Sequence, residues 1–397
     1  MASPTEERPC PICNLVWGKL IYKHLLTYGN EFQMVRECEN CGMVYSSLPE
    51  KALNYDGDSI YAGAAATGSG VAPHDQHRLK LTAQRIKRMC NSYDTIILDV
   101  GCAQGGLLKE LRSLGFRNLH GIDPSLKCVE TCRQQNLEVY KGSITELAER
   151  DVYFSHGYDV VVLNHVLEHI PDVAGALEAA RKLLKPGGLL YIEVPDANRY
   201  DTHKLPWLDF NIEHINHFSQ NLLYQLAVNC GFVIEKNGPC RLKLPSDGKG
   251  KLSYPAFWMV VQKYGFKRQR RVVRDARLPL HVKKHLVASK AAWQTMQHKL
   301  MQELFDAKVS EVAVWGCGNY AEHVVAALQY GGLRIAQAID GDVGKHGKKL
   351  SCGVYVQSPY FVSLPIVIAS PLHHDAILKV IRGMYPDARV FGLEAGI

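Results

Sequence analysis

The stretch TIILDVGCAQGG, residues 95–106, constrains the fold more than any other part of the chain. Apolar residues flanking one acid read as a buried parallel strand, and glycines at 101, 105 and 106 open the helical pattern LLKELRSLGF. A strand feeding a glycine turn and a helix is the first unit of a doubly wound α/β fold, where backbone approaches a ligand at the carboxyl edge of the sheet. The next strand, LHGID, ends in Asp123. Roughly twenty residues past the turn, a carboxylate there can take both hydroxyls of a ribose. The turn is not a dinucleotide fingerprint, because Gly101, Cys102 and Ala103 depart from G-x-G-x-x-G. Asp99, two residues before the first glycine, suits an amino-bearing ligand better than a pyrophosphate. Further on, YDVVVLNHVLEHIPD gives an apolar strand, a polar strand end at Asn164 and a helix, and LLKPGGLLYIEVPD gives a turn at 186–188 and another strand.

The pattern returns near the end of the chain. SEVAVWGCGNYAEHVVAAL repeats strand, glycine turn and helix, and RIAQAID closes on Asp340. Before it, residues 281–308 place Leu286, Trp293, Met296, Leu300 and Leu304 on one stripe, which reads as a core-facing helix. The second unit lacks a full phosphate fingerprint, so a nucleotide site and a structural or substrate-covering role both stand.

With 397 residues, two or three domains are expected, and 47% apolar with 21% charged residues fits a globular chain. No run of eighteen apolar residues occurs, and MASPTEERPC lacks the basic-then-apolar layout of an export signal, so a cytoplasmic protein without membrane contact is expected. Under those conditions twelve cysteines argue for thiols and metal ligands rather than a disulfide framework. Cys10-x-x-Cys13 and Cys38-x-x-Cys41 have the spacing of a tetrahedral zinc ribbon or knuckle. Four thiolates close the coordination sphere, so the Zn²⁺ expected there is structural. The formal charge of +7 gathers largely in KYGFKRQRRVVRDARLPLHVKKH, residues 263–285. A solvated helix face or connector and the steering of an acidic substrate are the two readings. Nucleic acid is not an expected partner, because Tyr264 and Phe266 sit at the start of the segment and do not interleave with its basic residues.

LDVGCAQGG, GIDPS, YDVVVLNHVLEHIPD and LLKPGGLLYIEVP follow the order of the motifs of class I S-adenosylmethionine (SAM)-dependent methyltransferases, and residues from about 95 to 260 resemble that family. The resemblance implies SAM as cofactor, with Gly101, Cys102 and Gly105 against its methionine portion and Asp99 facing its amino group. It further implies Asp123 on the ribose, Ser143 and Ile144 near the adenine, and Asn164 along the cofactor floor. Zinc segment, methyltransferase and second Rossmann-like unit together resemble the sugar C-methyltransferases, over nearly the whole chain. The expected division is 1–75 for the four-cysteine domain with a lid loop, 76–264 for the methyltransferase domain, and 265–397 for a linker helix and the C-terminal Rossmann-like domain.

That family methylates the carbon beside the ketone of a nucleotide-linked deoxy sugar, and its motif of glutamate and histidine followed by an aromatic and a serine corresponds here to Glu213, His214, Phe218 and Ser219 in FNIEHINHFS. The resemblance makes His214 the general base and places His169 in the active site. Where the family commonly carries a tyrosine before the glutamate, this chain has Asn211, and its upstream tyrosine segment is represented by Tyr55 and Tyr61. Tyr61 is the implied equivalent aromatic.

The chemistry asks for such groups independently. A carbon beside a ketone becomes a nucleophile only by losing a proton, which a near-neutral histidine can take, and a polar group must hold the enolate oxygen. Adjacent in sequence, Glu213 orients His214 only across a turn or helix start, or else binds substrate. A second zinc at Glu213, His214 and His217 is possible by ligand type, while His217 alone reads as a core histidine. The expected acceptor is a nucleotide sugar or another hydroxylated metabolite, handled by a monomer or homodimer. O-methylation of a small metabolite and a non-enzymatic scaffold are the alternatives.

Overall fold

The computed structural model describes residues 8–16, 18–25, 32–47, 73–149, 157–202, 209–210, 213–243, 253–265, 270–318 and 320–393, and the statements below concern those residues. Tyr55, Tyr61, the lid loop around them and Asn211 lie outside the described residues.

Strands β1 (Gly18–Leu25), β2 (Phe32–Cys38) and β3 (Val44–Ser47) pair antiparallel in sequence order. Three short strands bury too little to stand alone. Cys10, Val35, Cys38, Cys41, Met43 and Tyr45 are instead buried in one continuous core with the middle of the chain. Gly42 marks the closest approach: its φ is +80°, and a Cβ there would run into the carbonyl of Asp275.

After α1 (Pro73–Lys87), β4 (Ile96–Val100), α2 (Gly106–Ser113), β5 (Asn118–Asp123), α3 (Leu126–Gln134), β6 (Glu138–Lys141), α4 (Ile144–Glu149), β7 (Tyr158–Asn164), α5 (Val173–Leu183) and β8 (Leu184–Pro195) alternate as expected. The middle strands are apolar and buried on both faces, as a parallel sheet covered by helices requires. Next come the two-residue β9 (Asn216–His217), α6 (Gln220–Asn229), and the long strands β10 (Phe232–Lys243) and β11 (Ser253–Lys263). The seven-stranded order is β10-β11-β8-β7-β4-β5-β6; β8 to β6 run parallel, and β11 and β10 are antiparallel additions. The chain enters at β4, winds outward to β6 and returns to β7. A crevice therefore opens at the carboxyl ends of β4 and β7, where open α/β sheets take their ligands.

β9 belongs elsewhere. It pairs with β3 as the fourth strand of the N-terminal sheet, through Val44 with His217 and Tyr45 with Asn216.

The helix expected at 281–308 is α7 (Arg277–Asp306), and all five stripe residues are buried. The preceding basic segment acts in part as a connector, since Arg274 and Lys283 pair with Glu37 at 2.6 and 2.5 Å. Beyond α7, β12 (Glu311–Trp315), α8 (Ala321–Tyr330), β13 (Arg334–Ile339), β14 (Val356–Gln357), β15 (Ile366–Ile368), α9 (His374–Met384) and β16 (Val390–Gly392) build a parallel sheet of order β14-β13-β12-β15-β16.

Candidate functional site

The glycine turn after β4 folds back onto the end of β5. Gly101 has φ +65° and Gly105 φ +75°, and a Cβ on Gly101 would lie 2.8 Å from Val166. The Asp123 carboxylate accepts from the Ala103 amide at 2.8 Å and from the Ser125 amide at 2.9 Å. Each oxygen keeps a second lone pair for a ligand hydroxyl. Asp99 is 3% exposed; burial first, and then the Asp123 charge, push its pKa up to about 8, against the pull of Arg78.

Arg78, which the sequence reading did not single out, lies at the first turns of α1. It is 7% exposed, and its Nε and Nη2 donate to Asp75 at 3.3 and 2.7 Å, while its Nη1 has no hydrogen-bond partner among the described residues. A buried guanidinium N–H without an acceptor fits a ligand carboxylate, and beside the neighbouring Asp99 the pair suits the two ends of an amino acid. A positive charge at the head of a polar-looking helix was its only sequence signal.

The other expected cofactor residues separate by what they can offer. Ser143 caps α4 reciprocally: its amide donates to Glu146 Oε2 at 2.7 Å and its hydroxyl accepts the Glu146 amide at 3.2 Å. The Ile144 side chain is core, so its contribution to a ligand is the backbone amide of a first helical turn. Cys102 is 3% exposed and packs with Leu108, Val129 and Cys132 behind the turn, so it too meets a ligand through backbone alone. Asn164 ends β7 with a buried Oδ1 that has no hydrogen-bond partner among the described residues.

Beyond Asn164 the two histidine-rich stretches meet. Ile215 and Asn216 both donate their amides to the carbonyl of Glu168, at 2.9 and 3.1 Å. This brings His214 beside His169, ring centroids 5.0 Å apart, and Glu168, His169 and His214 present ligand atoms within 4.8 Å of one another. His169 Nδ1 lies 2.9 Å from the Glu213 carbonyl, so Glu213 meets the cluster through its backbone. The carboxylate gathered with His214 is that of Glu168, fully buried, which the sequence reading passed over. Behind it, His165 Nδ1 lies 3.0 Å from Glu168 and its Nε2 3.4 Å from Glu193, which also accepts from Arg85 at 2.8 Å and Tyr191 at 2.5 Å. Burial is the largest single influence on Glu168 and raises its pKa, but the His165 hydrogen bond together with the charges of His165, His169 and His214 lowers the carboxyl to about 2. His214 goes the other way: burial, then His169, push it down to about 4, so it is a neutral imidazole at neutral pH.

The grouping of Glu213, His214 and His217 as metal ligands does not form. His217 is fully buried on β9, its Nδ1 3.2 Å from the Tyr200 hydroxyl and its ring 4.6 Å from that of Phe210, facing the core. Burial first of all lowers its pKa to about 3.

The four N-terminal cysteines do converge. Their sulfurs lie within 4.8 Å of one another, with Cys10 to Cys41 at 3.5 Å and Cys13 to Cys38 at 3.4 Å. Thiolates about a tetrahedral ion with bonds of about 2.3 Å have near neighbours at similar spacing, and a disulfide would be far shorter. In the C-terminal sheet, Asp340 repeats the role of Asp123 toward its own turn, accepting from the Cys317 amide at 2.7 Å. There, however, Lys345 pairs with the same oxygen at 2.9 Å.

Residues 74–237 match the family model described as a methyltransferase domain. The ubiquinone biosynthesis O-methyltransferase of Marinobacter nauticus is 35% identical over 25% of this chain and 44% of its own length. The enzyme of the same name from Colwellia psychrerythraea is 36% identical over 29% of this chain and 48% of its length. The chain thus spans about half the length of the curated relatives it matches. A SAM-dependent methyltransferase of Methanosarcina mazei superposes with a TM-score of 0.36 at 20% identity, covering 45% of this chain and 97% of that one. Among the described residues no helix is long and apolar enough to cross a membrane.

Proposed function

We propose that the chain is a SAM-dependent methyltransferase that methylates the carbon beside the ketone of a nucleotide-activated deoxy sugar, with His214 as the base. The observation that carries this reading is the convergence of His214, His169 and Glu168 just past the end of β7, the strand next to the glycine turn. Arg78 and Asp99 would hold the two ends of the methionine portion and Asp123 the ribose. The cofactor supplies an activated methyl on a sulfonium. The chain's own work is on the acceptor: neutral His214 takes the α-proton, and its charge as imidazolium is balanced by the Glu168 carboxylate within 4.8 Å. His169, its Nδ1 committed to the Glu213 carbonyl, turns Nε2 toward the same space. The four cysteines would hold a structural Zn²⁺, and the C-terminal sheet would carry the nucleotide end of the acceptor. A panel of nucleotide sugars and hydroxylated metabolites, assayed with labelled SAM and with the methyl position read by NMR, tests the proposal. A carbon-linked methyl is expected, and an oxygen-linked one would overturn it.

A second reading is favoured by the same cluster. Glu168, His169 and His214 form a donor set for a divalent cation, and the relatives are named O-methyltransferases. A cation there would lend Lewis acidity to an acceptor hydroxyl. Deuterium exchange at the acceptor carbon in the absence of SAM separates the two, since only enolisation produces it.

A further inference from the structure

We propose that Arg8, and through it the four-cysteine ribbon, is the positioning element of the His214 loop, so that the state of the cysteine cluster sets the geometry of the active site. The inference rests on the reading of His214 and His169 as the acceptor-side pair.

The segment that follows His214 is held from two sides. One side is the end of the β7 connection: the Glu168 carbonyl takes the amides of Ile215 and Asn216, and Asn216 Nδ2 donates to the carbonyls of Leu167 and Ile170, both at 2.8 Å. The other side is the ribbon: β9 pairs with β3, and the Ser46 amide donates to the Ile215 carbonyl at 2.8 Å. Arg8 ties both sides at one point. Its Nε donates to the Ser46 carbonyl at 2.7 Å, its Nη2 to the Ile215 carbonyl and to Asn216 Oδ1, both at 2.7 Å, and its Nη1 to the Pro171 carbonyl at 3.2 Å. The guanidinium also lies over the Tyr45 ring, 5.4 Å from its centroid.

One planar fork thus fixes the separation of three segments: β3, the residues after His214, and the residues after His169. None of these acceptors belongs to the cofactor crevice. Arg8 itself stands two residues before Cys10, whose sulfur lies 3.5 Å from that of Cys41. Closing the cluster fixes the chain at Cys10 and so delivers the fork; opening it by metal loss releases the fork. A loop set loose in this way separates His214 from His169 while leaving the glycine turn, Asp99 and Asp123 untouched.

The test uses the full-length metal-loaded chain with Arg8→Met and Arg8→Lys. Metal content and SAM affinity by calorimetry should match wild type in both. Hydrogen exchange of the 215–217 amides should quicken about tenfold or more in Arg8→Met, with 96–123 unchanged. The ¹⁵N-histidine spectrum should lose the exchange-protected Nδ1 proton of His169, whose partner is the Glu213 carbonyl; Arg8→Lys, keeping charge without the fork, should restore it in part. Stripping the metal from wild type with a chelator should reproduce the Arg8→Met pattern. Unchanged protection at 215–217 in Arg8→Met, or a loss of SAM binding as large as the loss of protection, would overturn the inference. Should Arg8→Met not fold, Arg8→Lys decides by the same exchange measurement. A wild-type chain that binds no SAM would instead count against the methyltransferase reading itself.

Discussion

Binding of SAM near pH 7 should expel most of one proton, and Asp99 is its source. Its carboxyl, 3% exposed, is pushed from 3.8 up to about 8, by burial first and then by Asp123. A group with that pKa is about nine-tenths protonated at pH 7. The proposed pose sets the α-ammonium of the ligand beside it, and an opposite charge at that distance lowers a carboxyl pKa by roughly one to three units. Between about 0.4 and 0.9 proton per ligand should then leave at pH 7. The sign follows from the raised value: the free protein holds this proton below about pH 8, so release fades toward pH 9, where the proton is already gone. Release also fades near pH 4, where the complex keeps the proton too. Calorimetry in buffers of different ionisation enthalpy reads the number directly as the slope of the observed enthalpy. Asp99→Asn should flatten that slope, with any remainder assigned to Asp123, which burial also raises. A flat slope in wild type at pH 7, or an equal slope in Asp99→Asn, would refute the placement of the ammonium at Asp99.

Arg78→Ala should weaken SAM binding by about 10- to 100-fold, the range for a lost charge-assisted bond, and Asp123→Ala should do the same or worse; titration calorimetry checks both. His214→Ala should keep SAM affinity within a factor of about two and lose roughly 100-fold or more in transfer, measured with labelled SAM on whichever acceptor turns over. Acid should destabilise the fold through His217: its pKa in the native state is near 3 against 6.5 when unfolded, so the stability it contributes is complete above about 6.5 and drains as pH falls toward 3. The full loss is of order 5 kcal/mol, and His217→Phe should flatten the dependence of the urea midpoint on pH over that window. Elemental analysis should find one zinc per chain, and Cys38→Ala should lose it together with the protection of the ribbon strands.

Much of the fold was readable because its parallel strands are buried on both faces and their glycine turns tolerate few other residues. β4 and β7 announce themselves as apolar runs that end in Asp99 and Val100 and in Asn164, and β5 by the acid, Asp123, that closes it. The antiparallel pair β10 and β11 was not legible, because strands that extend an existing sheet carry no turn signature of their own. Within the site, residues that face ligand were easier to find than those that hold other residues. Glu168 and Glu193 stand as ordinary helix-start and strand-end acids in the sequence, and only packing makes them the fully buried partners of half-buried His165 and Arg85. Glu213 and His214 drew attention as neighbours in sequence. The carboxylate that gathers with His214 comes instead from Glu168, some 45 residues earlier, a pairing that local patterns do not encode.

The two-residue strand β9 also dictates an order of events during synthesis. Residues up to 47 leave the ribosome with β3 unpaired on its outer edge, and the partner of that edge, Asn216 and His217, follows about 170 residues later. At typical rates of about 5–20 residues per second, that is on the order of ten to thirty seconds with an open strand edge and a nascent thiol cluster. Asp275, whose backbone seats Gly42 and whose amide donates to the Cys41 carbonyl at 2.9 Å, emerges later still. The four-cysteine segment is therefore finished only after its distant partners have been made. Early metal capture by the two cysteine pairs would guard the segment through that interval, and a chain cut before residue 217 would carry the exposed edge permanently.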